Sequence, residues 1–91
     1  MANQVQQSGA PVLLAASGQV SLAAGTLLGF YVNSTTGGTV VIENGTASSK
    51  TAISGTITPA IGFHPFPAYC TAGCYATIAN TTSITFFFAA G

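Results

Sequence analysis

Gly25-Thr-Leu-Leu-Gly-Phe-Tyr-Val-Asn33 and Thr39-Val-Val-Ile-Glu43 decide how this chain folds. Leu28, Phe30 and Val32 fall on one face of a period-two ladder, and so do Val40 and Ile42. Alternation of this kind marks half-buried strands, whereas an amphipathic helix repeats its apolar residues every three to four positions. Working outward, Ile53 and Ile57, then Cys74, Ala76 and Ile78, then Ile84, Phe86 and Phe88 keep the same rhythm and complete the expected core. The pattern predicts strands near 11–16, 19–23, 26–33, 38–43, 51–58, 66–70, 73–79 and 82–89. Short strands at this spacing, separated by turn residues, belong to sandwiches and barrels. The expected fold is therefore all-β, a single compact antiparallel β-sandwich or jelly-roll-like domain over residues 11–91. Residues 1–10 are polar apart from Val5 and read as a flexible or extended N-terminal arm.

The punctuation has its own mechanisms. Gly37-Gly38 and Asn44-Gly45 supply the positive φ angles of tight turns, and Asn80-Thr81-Thr82 reads as a short connection between the last two strands. Pro59, Pro65 and Pro67 lack an amide donor, so 59–67 is expected to be a loop or an edge segment.

Charge is nearly absent. Lys50 and Glu43 are the only charged side chains and His64 the only imidazole, while Arg, Asp and Trp are missing. With 48% apolar residues the chain is too hydrophobic for disorder, and Thr, Ser, Asn and Gln, 29 residues in all, must cover the surface. A net charge of zero leaves little repulsion between copies, which favours self-association. A 9.0 kDa chain hides only about 63% of its unfolded surface on folding, a thin margin that small domains often supplement by oligomerising.

Two partner classes drop out. One Lys cannot build the basic stripe that phosphate backbones require, so no nucleic acid is expected. The apolar stretch Val12–Val32 is broken by Ser17, Gly18, Gln19, Ser21, Gly25, Thr26 and Gly29, and a spanning helix needs about 20 mostly apolar residues. The first residues lack the basic start and apolar run of a secretory signal. Neither membrane nor secretion is expected.

Leu27, Tyr31, Val41, Tyr69, Tyr75 and Phe87 fall out of phase with the core set. Aromatics there suit a protein interface, or else strands covered on both sides within the fold. Phe63-His64-Pro65-Phe66-Pro67 reads either as a rigid loop whose aromatics plug one end of the sandwich or as a contact epitope in which His64 adds pH sensitivity. Phe63, His64 and Phe66 thus join the candidate interface. Cys70-Thr-Ala-Gly-Cys74 admits three readings, with Gly73 in a three-residue hairpin loop. The cysteines are buried free thiols, a disulfide formed after leaving a reducing compartment, or, with His64, three of the four ligands that a structural zinc site wants, so no metal is expected.

Catalysis has little to work with. A Ser-His-carboxylate arrangement would need Glu43 and His64, and neither sits in a nucleophile motif. Glu43 is instead expected at a strand end, paired weakly with Lys50 across the Asn44-Gly45 loop, and no enzyme and no cofactor are expected. The glycosylation patterns at Asn33, Asn44 and Asn80 carry no meaning in so Ser- and Thr-rich a chain.

Ala24-Gly-Thr-Leu-Leu-Gly-Phe-Tyr-Val-Asn33, Gly38-Thr-Val-Val-Ile-Glu-Asn-Gly-Thr46, Gly55-Thr-Ile-Thr-Pro59, Gly73-Cys-Tyr-Ala-Thr-Ile78 and Ser83-Ile-Thr-Phe-Phe87 together carry a resemblance. Over about residues 18–89 the chain resembles the small β-sandwich virion proteins of tailed bacteriophages. The resemblance implies a capsid decoration, or cement, protein seated on the outside of a phage head. It also implies a homotrimer clamping neighbouring major capsid subunits after assembly in the bacterial cytoplasm. The short N-terminal arm departs from some decoration proteins and leaves room for a tail, neck or fibre role. A receptor module, with Tyr31, Tyr69 or Tyr75 stacking on glycans, is the alternative from another class.

Overall fold

Two long strands organise the chain. The computed structural model describes residues 10–90 and contains six strands: β1 (Ala10–Leu14), β2 (Gly18–Ser21), β3 (Gly25–Thr46), β4 (Ser49–Ala52), β5 (Gly62–Cys70) and β6 (Cys74–Ala90). Every pairing between them is antiparallel. The N-terminal arm read over 1–10 lies outside the described residues except for Ala10, which opens β1.

β3 and β6 pair along almost their whole length, from Gly25 opposite Ala90 to Asn44 opposite Cys74. Four of the expected strands are therefore two. The residues read as turns between them, Gly37-Gly38 and Asn80, face each other in the middle of the ribbon. There the register passes from Thr36 opposite Thr81 to Thr39 opposite Ala79, so two residues of β3 stand against one of β6. Gly37 and Asn80 both take left-handed φ angles, 62° and 64°, and the Asn80 Nδ2 donates to the Gly37 carbonyl at 2.9 Å. A bulge of this kind bends a strand without reversing it.

The bend folds the sheet over. The 22 residues of β3 would reach about 73 Å if straight, against a longest dimension of 44 Å. One half-sheet has the order β1-β6-β3-β5, and the other β2-β6-β3-β4. Cys70 lies beside Gly25 at one end of β3 and Cys74 beside Asn44 near the other, so residues 71–73 bridge the two halves. The result is an antiparallel sheet curled into a half-barrel, a sandwich-like form whose inner faces share one core. Phe30, Phe86, Phe88, Ile42, Ile84 and Val32 fill it. Each such side chain contributes about 1.5–3 kcal/mol on leaving water.

Several local expectations change. Leu27, read as an interface residue, is fully buried, while Leu28 is only half-buried. The register shift between Leu27 and Gly29 makes Leu28 an extra residue relative to β6, which puts Leu27 and Phe30 on the same inner side. Ile53 is 37% exposed and Ile57 partly buried, because the Ile53 and Ser54 amides both donate to the Ile42 carbonyl, at 2.8 and 3.2 Å, which breaks the alternation before the Val40–Ile57 bridge. Asn44-Gly45 stays inside β3, and the reversal falls at Ala47-Ser48 between paired Thr46 and Ser49. Pro65 and Pro67 sit in β5, which pairs with β3 alone and so forms an edge. Cys70 and Cys74 are not a hairpin pair, since β5 and β6 flank β3 on opposite sides and never join.

Candidate interaction faces

The outer face of the β1-β6-β3-β5 half-sheet gathers three of the six out-of-phase residues, Tyr31, Tyr69 and Phe87. Leu13, Thr85, Tyr31 and Phe63 line up across its four strands, and Pro11, Phe87, Gly29 and Pro65 form the next row. Tyr69 follows beside Thr26. Leu13, Tyr69, Phe63 and Tyr31 remain 65%, 55%, 52% and 43% exposed, too much for strands covered on both sides by the fold. Phe63 and Phe87 close over Gly29 with ring centroids 6.1 Å apart. A Cβ on Gly29 would lie 2.8 Å from the Phe63 ring, so the missing side chain is what lets the rings settle there. Pro11 and Leu13 were not singled out from the sequence, although both are out of phase with Val12, which packs on the core.

The opposite outer face, on β2-β6-β3-β4, is different in kind. It carries Glu43, Lys50, Tyr75, Thr77 and Val41, hence both charged residues of the chain. The expected Glu43–Lys50 pair is replaced by other partners. Thr77 Oγ1 donates to Glu43 Oε1 at 2.6 Å, while Lys50 Nζ donates to the Ala47 carbonyl at 3.0 Å and lies 5.0 Å from the Tyr75 ring centroid. Val41 and Tyr75 are half-buried on this face, away from Tyr31. Tyr31 is paired with Phe63, six residues along β5 from Tyr69, which is about 20 Å. The three tyrosines therefore form no common platform.

Strand alternation splits the Phe63–Pro67 segment. Phe63 points out, whereas His64 and Phe66 turn inward against Phe30, at 5.4 and 6.4 Å between ring centroids. A His64 Nε2 contact of 2.7 Å to the Ala60 carbonyl fixes the imidazole at the edge of the core. His64 and Phe66 thus plug the sandwich, and only Phe63 of the three is presented outward. Glu43 lies on the outer face of the other half-sheet, so the carboxylate and imidazole are not brought together.

Cys70 and Cys74 are buried free thiols in side-chain contact. Burial pushes both up, and Cys74 reaches about 12 with the neighbouring Cys70 adding to the effect. Thiols held protonated in this way are poor nucleophiles and poor metal ligands at neutral pH. His64 is about 20 Å along β5 from Cys70, and no metal-binding cluster of three His, Cys, Asp or Glu occurs among the described residues.

Fold and faces together define a class: a small all-β domain with one uncharged aromatic outer face and one face that carries its only charges. Compared with protein-family models, characterised proteins and solved structures, the chain matches none.

Proposed function

We propose that this chain is a structural virion protein that decorates the outside of a phage head and stabilises contacts between major capsid subunits. The observation that carries this reading is the outer face around Tyr31, Phe63 and Tyr69, an exposed aromatic surface without a single charge. Leu13, Tyr31 and Phe63 line up across it, with Pro65, Pro67 and Tyr69 following along β5, and exposed apolar side chains gathered on one face mark a site of burial against other protein. Apolar contact contributes about 25 cal/mol per Å², from which the cost of association must be subtracted, so one small copy holds weakly and many copies hold a shell together. The sequence resemblance to phage virion proteins supplies the kind of assembly in which such a face is buried.

The test is mass spectrometry of gradient-purified particles from the source strain, with heads and tails separated. Many copies in the head fraction are expected. Copies only in tails would move the role to tail, neck or fibre, and absence from both fractions retires the reading.

A further inference from the structure

We infer that the uncharged outer face of the β1-β6-β3-β5 half-sheet is where two copies of this chain meet, each presenting the same face to the other. The inference rests on the assembly reading above and names the occupant of this face as a second copy.

Charge selects the face. Glu43 and Lys50 both lie on the other side of the molecule, so two copies can bring this face together without burying an ion or opposing like charges. The other outer face would have to desolvate both. A face without charge sets no like charges against each other when it meets a copy of itself, one condition that contact between identical surfaces imposes.

Area is sufficient. Tyr31, Phe63 and Tyr69 leave about half of their surface in water, and Leu13 leaves more. With the adjoining prolines the face offers on the order of 600 Å² per copy, or about 1,200 Å² for a pair, at the lower edge of specific interfaces. The ridge is also preformed, because Phe63 and Phe87 already pack on each other over Gly29. Side chains ordered beforehand lose less entropy on association.

The edges direct contact to the face. Pro65 and Pro67 remove amide donors from β5, and Pro11 removes one from β1, so both lateral edges of this half-sheet are poor templates for a neighbouring strand. Sideways growth of the sheet is blocked, while the broad surface is left open.

The experiment is light scattering behind size exclusion on the purified protein at roughly 100 μM, above a micromolar Kd. The expected mass is twice 9.0 kDa, because two identical faces close on each other as a pair. Tyr31→Lys and Tyr69→Lys should each raise the self-association Kd at least about 30-fold, the scale of an interface hot spot. Ala52→Lys, exposed on the opposite outer face, should leave it unchanged. Circular dichroism establishes that each variant is folded, and Tyr69 on its edge strand serves if Tyr31→Lys does not fold. A monomeric wild type, or dissociation by Ala52→Lys but not by the tyrosine variants, overturns the inference. No particle takes part, so this result and the particle content of the chain stand or fall separately.

Discussion

Gly38 stands at the inside of the bend, where a Cβ would overlap the Thr82 hydroxyl. Thr82 is buried, shares a hydrogen bond with Thr35 Oγ1 at 3.2 Å, and that same oxygen accepts from the Gly38 amide. Nothing at the corner can step aside without breaking one of these bonds. Gly38→Ala should therefore cost about 1–3 kcal/mol, as overpacking does elsewhere. In a domain of this size each kcal/mol lowers Tm by roughly 4–8 °C. Gly55→Ala, which meets nothing within 4 Å, is the control and should stay within about 0.5 kcal/mol of wild type. Cys74 makes a different prediction. Its thiol ionises near 12 when folded and near 9.0 when free, so between those values the unfolded chain has lost a proton that the folded chain keeps. Stability is full below about pH 9 and falls as pH rises toward 12. Urea melts across that window should show the decline, and Cys74→Ser should make it shallower, with Cys70, which burial also pushes up, keeping part of it.

Among the elements, β5 shows how an almost chargeless chain protects a sheet edge. Charged side chains, Lys above all, are one common guard of edge strands, and Pro is another. Here Pro65 and Pro67 take that part, while Phe30 and Val32 still find partners in His64 and Gly62. Replacing both prolines with Thr should leave stability within about 1 kcal/mol, from two surface changes of about 0.5 each. It should raise turbidity and thioflavin binding on incubation, because the edge regains its donors. If the doubly substituted protein stays as clear as wild type, the prolines are not what guards this edge. The same strand shows what the sequence displayed and what it hid. The missing amides announced an edge, yet the twin possibility of a loop remained open, since only pairing with β3 could decide it. Gly37 reads from the sequence as a positive-φ position and Asn80 as part of a connection, but nothing there tells that the two face each other. A left-handed residue serves a turn when it stands alone, and a bulge when another faces it across the ladder. Pairing of that kind is a long-range fact that no local window contains. Leu27 and Leu28 exchanged roles for a related reason, since one extra residue inverts the parity of everything before it.

At the scale of the whole molecule, the division of surface is the informative feature. Period-two reading separated inner from outer residues correctly for Phe30, Val40, Ile84 and Phe86, all of them buried. It did not tell one outer face from the other. Tyr31 and Tyr75 looked alike in sequence, and only the fold sends them to opposite sides, one among prolines and aromatics and the other beneath Lys50. The position of β6 has a consequence for the history of each molecule. It pairs with β1, β2 and β3, yet it is synthesised after all of them. A ribosome that has reached residue 73 has produced the strands that will surround a centre still missing. Hairpin β3-β4 can close early, but Gly25 must wait for Ala90, and the core cannot form until both are present. Folding of this domain is thus a late, nearly simultaneous event, exposed to chaperones and to neighbouring nascent chains until its last strand arrives.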